Sequence, residues 1–169
     1  MKQPSKAAKS AKAASIPNVR LPARDMAQVR AITATANVHT NSKALLLSGS
    51  NAAAAAEAIA RELRRDLFRV DLAAVVSHHI GETRKNLDRL FADAAANDAI
   101  LLIDEADALL GRRTEVRDAH DRYANIEIGY LLQRIEEYRS LVLLVSKPTL
   151  PLPAALQRRL SIYRFPPAD

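Results

Sequence analysis

Three stretches of the chain are apolar without alternation: Ala44-Leu45-Leu46-Leu47-Ser48, Ala99-Ile100-Leu101-Leu102-Ile103 and Leu141-Val142-Leu143-Leu144-Val145. A strand with one wet face alternates apolar and polar residues. An unbroken apolar run bounded by turn residues reads instead as a strand buried on both faces, the kind found in parallel sheets covered by helices. Phe68-Arg69-Val70-Asp71-Leu72 reads as a further strand, and Ser161 to Phe165 as a last short one. Between them the spacing changes to that of helices. Ala52 to Arg65 places Ala56, Ile59, Ala60 and Leu63 on one face. Arg84 to Ala96 turns Leu87, Leu90, Phe91 and Ala94 inward, and Tyr123 to Tyr138 buries Ile128, Leu131, Leu132 and Ile135. Ala154 to Leu160 is a shorter helix, and Met26 to Ala34 another candidate. Val75 to Thr83, Gly111 to Asp121 and Pro148 to Pro153 read as connections. Strand and helix alternating in this way predict a parallel sheet between two layers of helices.

The length of 169 residues is that of one domain with a sizeable core. There is no cysteine, which excludes disulfides and cysteine-based zinc sites. No apolar run approaches the ~20 residues needed to span a bilayer, and no signal-peptide core follows the first methionine. A cytoplasmic protein is therefore expected. The net charge of +6 is localised. Met1 to Arg24 holds six basic residues and no acid, so the remainder carries 19 charges of each sign. Residues 1–18, rich in Lys, Ala and Ser, read as a disordered basic tail. It is a solvated terminus or, less expected, an arm for nucleic acid. Residues 19–42, with Pro17 and Pro22 around their start, read as a lead-in segment, and 43–169 as the core domain.

The strongest chemical signal is the abrupt end of the second apolar run in Asp104-Glu105. Buried charge is costly unless it has a partner, and ligands of open α/β sheets bind where the strands end. An apolar strand ending in Asp-Glu suits nucleotide hydrolysis, the first carboxylate holding Mg²⁺ through water and the second polarising the attacking water. The alternatives are carboxylates at a helix N-terminus, or pairing with Arg112 or Arg113. A second signal is the strand–turn–helix at Ala44 to Arg65. That is the setting of a phosphate-binding loop, with Ser50 or Asn51 as N-cap. A nest of backbone N–H groups needs glycines, and a triphosphate needs a cation. Here Gly49-Ser50-Asn51 is followed by five alanines and no lysine. Alanine adopts φ > 0 only at a cost of roughly 1–2 kcal/mol, so the turn should close directly into the helix. His78-His79 is not expected to bind metal, because adjacent side chains diverge in extended backbone and no third ligand is near in sequence.

From Lys43 to Phe165 these pieces, in this order, resemble the core domain of AAA-type P-loop ATPases, including bacterial members. The likeness rests on Ala44–Ser48, Ala55–Leu63, Arg69–Leu72, Ile80-Gly81-Glu82-Thr83 with Lys85-Asn86-Leu87, Leu101–Asp107 as a Walker B-like strand, Leu131-Leu132-Gln133, and Arg158-Arg159. It implies a P-loop NTPase-like three-layer sandwich with a five-stranded parallel sheet. It also implies ATP and Mg²⁺, and a ring, usually hexameric, of like or different AAA subunits acting on a protein substrate. Carried over residue by residue, Asp104 is the nucleotide and Mg²⁺ residue and Glu105 the catalytic base. Gly49, Ser50 and Asn51 are what is left of the nucleotide loop. Arg158 and Arg159 are arginine fingers, and His79, Ile80 and Gly81 belong to a pore loop.

The departures are equally specific. The Walker A position reads Gly49-Ser50-Asn51-Ala52-Ala53-Ala54, without lysine and about three residues short. Lys147 stands at the polar sensor, His79 at the pore-loop aromatic, and Pro153 at the aspartate before the finger helix. The chain stops at Asp169, before a helical lid. The expectation is a pseudo-ATPase: a nucleotide-binding-deficient ring subunit or scaffold that retains Walker B and finger residues. The alternative is an ATP-hydrolysing remodelling ATPase.

Overall fold

Five short strands pair side by side and parallel in the computed structural model, which describes residues 8–11, 20–36, 44–77, 79, 81–110, 119–147, 152 and 154–167. The order of elements is β1 (Ala8–Ala11), α1 (Ala23–Ala36), β2 (Ala44–Ser48), α2 (Ala52–Glu62), β3 (Leu67–Asp71), α3 (Leu72–Val75), α4 (Glu82–Ala96) and β4 (Ile100–Asp104). It continues with α5 (Asp107–Leu110), α6 (Ala119–Glu137), β5 (Val142–Ser146), α7 (Ala154–Arg159) and β6 (Ser161–Arg164). The parallel strands run in the order β3-β4-β5-β2-β6, and β1 adds antiparallel to the outer edge of β3. The rest of the expected tail, and Gly111, Arg112 and Arg113 of the expected polar loop, lie outside the described residues.

Both faces of the sheet are covered, which explains the unbroken apolar runs. Leu46, Val70, Leu101, Ile103 and Leu144 face one way, toward Leu87 and Leu90 of α4, Leu109 of α5 and Leu131 and Ile135 of α6. Their neighbours Leu45, Leu47, Leu102, Leu143 and Val145 face the other way, toward α2 and α1. Successive side chains of a strand point to opposite faces, so each strand supplies both cores. The second core is built from small residues. Ala52, Ala55, Ala56 and Ala60 of α2 are fully buried, and Val29 and Ile32 of α1 pack over them. Alanine keeps α2 thin enough for α1 to lie outside it.

Where the structure departs from the periodic pattern, the elements are short. Leu72–Val75 forms one helical turn where a strand end and a connection are expected, with the Asp71 carboxylate accepting from the Ala73 N–H at 3.0 Å. Asp107–Leu110 is another single turn. Such turns carry too few residues to show a period.

The first core ends at Tyr138, which is buried against Phe91 edge to face, with ring centroids 5.9 Å apart. Its hydroxyl donates to the Ala99 carbonyl at 2.5 Å. Burial raises the Tyr138 pKa above the ordinary tyrosine value, and the nearby Asp98 charge adds to this. Tyr130 is also raised, mainly by its hydrogen bond to Asp88. A tyrosine whose pKa is higher in the folded state favours folding fully at pH below its unfolded pKa, and that contribution is lost as pH rises through the folded pKa. The chain should therefore lose stability as pH rises above about 10, the ordinary tyrosine value. Tyr138→Phe should cost about 1 kcal/mol near neutral pH and flatten that alkaline limb, leaving the slope owed to Tyr130. Urea unfolding across this range measures both effects.

Candidate functional site

The turn after β2 is shaped by one backbone contact. Gly49 has φ +114°, a conformation open to glycine. A Cβ at Gly49 would stand 2.1 Å from the Phe165 carbonyl oxygen. Phe165, directly after β6, is fully buried. Its N–H donates to the Ser48 carbonyl at 2.7 Å, and its own carbonyl accepts from the Asn51 N–H at 3.3 Å. The Ala52 N–H turns back to the Gly49 carbonyl at 3.2 Å. These two amides of the turn are thus already bonded within the chain. Ser50 is exposed.

Asn51 does occupy the N-cap position of α2, but its side chain makes no cap hydrogen bond. Instead its Nδ2 donates to the Asp25 carboxylate at 2.9 Å and to the Pro166 carbonyl at 3.2 Å. Asp25, in the first turn of α1, is fully buried. A buried carboxylate requires donors, and Arg24 supplies the second through Nε at 3.3 Å. The other end of the Arg24 guanidinium donates to the Pro167 carbonyl at 3.2 Å. Residues 24–25, 49–51 and 165–167 thus meet at one point.

Two strands away, separated by β5, β4 ends in Asp104 and Glu105. One oxygen of Asp104 accepts the Glu105 N–H at 2.9 Å. The other pairs with the Arg69 guanidinium of β3 at 2.5 Å, and Arg69 also faces Glu57 of α2 at 3.5 Å. Glu105 is exposed and has φ +56°, a left-handed backbone that costs of order 1–3 kcal/mol for a residue with a side chain. The strained bend is held on both sides, because the Ala106 N–H donates to the Val145 carbonyl and the Ala108 N–H to the Glu105 carbonyl, each at 2.9 Å. At the end of β5, Lys147 lies 3.7 Å from Asp107.

The remaining candidates lie apart from these two spots in the contacts they make. His79 is exposed, and its N–H donates to the Ser77 hydroxyl at 3.1 Å. Gly81 precedes α4 with φ +79°, and Ile80 lies outside the described residues. The base of that loop is pinned by buried Thr83, whose hydroxyl accepts the Ser77 N–H at 2.9 Å. Arg158 and Arg159 are exposed on the last turn of α7, with Arg159 placed 3.5 Å from Glu136. Among the described residues no group of three His, Cys, Asp or Glu side chains is arranged to hold a metal. Among them, too, no helix is long and apolar enough to cross a membrane. Sequence reasoning missed Asp25, Arg69 and Phe165. Arg69 carried the only signal, as a charge in the middle of an otherwise apolar strand half.

The two left-handed glycines should respond differently to a methyl group. Gly49→Ala combines the wrong φ with a collision against backbone and should cost at least ~3 kcal/mol. Gly81→Ala meets nothing within 4 Å and should cost only the conformational ~1 kcal/mol. Chemical denaturation of the two variants gives the comparison.

Residues 49–167 match the family described as "ATPase family associated with various cellular activities (AAA)". The chain is also similar to the ATPase family gene 2 protein of Schizosaccharomyces pombe, at 42% identity over 67 residues. That match takes in 38% of this chain and 8% of the yeast protein. A parallel α/β/α sandwich with its turn and its carboxylate pair at the strand ends, and a family match over most of its length, make this chain a member of the AAA ATPase family.

Proposed function

We propose that this chain is a nucleotide-binding-deficient AAA module, a pseudo-ATPase that serves as a ring subunit or scaffold. The observation that carries this reading is the Phe165 carbonyl, which packs against Gly49 and accepts the Asn51 N–H of the turn. Phosphate binding at such a turn needs free N–H groups converging on the anion and a cation beside them. The Asn51 and Ala52 amides are bonded within the chain, no lysine stands in the turn, and the nearest buried charge is the Asp25 carboxylate. These residues do not fit a triphosphate. Asp104, the residue that would meet Mg²⁺, is already matched by Arg69.

In this reading the core domain (43–169) keeps the family's shape and its neighbours' contacts without its own chemistry. Arg158 and Arg159, exposed on α7, meet the nucleotide of an adjacent AAA subunit of the same or another kind, Arg159 leaving Glu136 to do so. His79, Ile80 and Gly81 face a protein substrate in the ring. Gly49, Ser50 and Asn51 are the remnant of a shortened bacterial-type Walker A loop, and the location is cytoplasmic. One observation favours the second reading, an ATP-hydrolysing remodelling enzyme. Glu105 is exposed, held in a strained bend, and its carboxylate has no partner among the described residues, as a base waiting for water would be.

Calorimetry with Mg-ATP at millimolar concentration separates the two. The pseudo-ATPase should give no binding heat and no rise in melting temperature, since only a ligand of the native state stabilises it. Saturable binding in the micromolar range would retire the proposal and transfer the argument to Glu105.

A further inference from the structure

The family pattern makes Asp104 a residue for a divalent cation, and the structure puts a different cation there. The Arg69 side chain leaves the middle of β3, where its backbone pairs with Leu102, and reaches two residues further along β4 to Asp104. The same guanidinium faces Glu57 from the second turn of α2. Both carboxylates are mostly buried, with side-chain exposures of 19% and 15%, whereas Arg69 is 44% exposed. The fork of a guanidinium carries donors in two directions, so one arginine serves two carboxylates on two separate elements.

Backbone N–H groups engage this corner as well. The second oxygen of Asp104 accepts the Glu105 N–H. Asp71, the register partner of Asp104, has its carboxylate on the Ala73 N–H at the start of α3. A divalent cation approaching Asp104 meets a fixed positive charge within bonding distance of the same oxygen. Of the carboxylates nearby, Asp71 is engaged by the Ala73 N–H and Glu57 by Arg69 itself, which leaves the exposed Glu105. Like charges that close repel strongly in a partly buried setting, and Mg²⁺ gives up its own water reluctantly.

We infer that Arg69 is the built-in counter-ion of Asp104, taking the role a metal ion would have and keeping divalent cations out of this corner. Glu57–Arg69–Asp104 is then a metal-free bridge that fastens α2 to the strand ends. It extends the nucleotide-deficient reading to the metal, and its test uses no nucleotide, so the two fail separately.

Mn²⁺ serves as the probe, followed by electron paramagnetic resonance and by its effect on melting temperature. The wild-type chain should show no saturable Mn²⁺ binding. Arg69→Gln, which leaves Glu57 and Asp104 uncompensated, should bind Mn²⁺ saturably and rise in melting temperature when it is added. Arg69→Gln combined with Asp104→Asn should lose that gain. If Arg69→Gln folds, as judged by circular dichroism, and binds no Mn²⁺, the inference is wrong. If wild type binds Mn²⁺ saturably and Asp104→Asn removes it, the inference is wrong whatever the arginine variant does.

Discussion

The contact between Gly49 and the Phe165 backbone is the constraint on which the candidate site depends. It comes from strand pairing. β6 lies parallel to β2, with Arg164 in register with Ser48, so the next residue of β6 is carried onto the turn that leaves β2. Only a residue without a side chain accepts a carbonyl that close. Once Phe165 is seated, its ring fills the second core and its carbonyl takes the Asn51 N–H. The turn then has no room to open outward into a nest. A loop this short, followed by alanines, enters the helix at once, and the geometry of the sheet completes its closure.

Electrostatics at the strand ends follow the same rule of internal satisfaction. Asp25 is met by Arg24 and Asn51, Asp104 by Arg69, and Asp107 by Lys147. In each case the partner is a side chain of the same domain. Glu105 differs from them, since it combines exposure with a left-handed backbone. Its bend follows from the need to bring Ala106 under the end of β5, whose Val145 carbonyl takes the Ala106 N–H.

The sheet was legible in the sequence for a physical reason. Strands buried on both faces have no polar alternation, so β2, β4 and β5 stand out with boundaries within a residue or so of the observed ones. The long helices were legible because each buries one face. What stayed hidden is non-local or short. β1 is Ala-Lys-Ser-Ala, which has none of the branched or aromatic residues that mark a strand, and its conformation is set by the open edge of β3. The meeting of Asp25, Asn51 and Pro166 joins parts of the chain far apart in sequence, and no local pattern announces such a contact. The turn at Gly49 and the carboxylates at Asp104 were located correctly as strand-end features, but their partners came only from the fold.

The junction of residues 24–25, 49–51 and 165–167 also has a mechanical meaning. It ties the start of the first long helix to the residues after the last strand, across the turn that leaves β2, next to the edge strand β6. A tension applied between Asp25 and Pro166 is carried first by these polar bridges and by the pairing of β6 with β2. The strands β3, β4 and β5 lie outside that path and bear none of the initial load. The junction therefore acts as a clasp: pulled from these two points, the domain opens first beside β2, while the larger core beneath α4 and α6 stays folded.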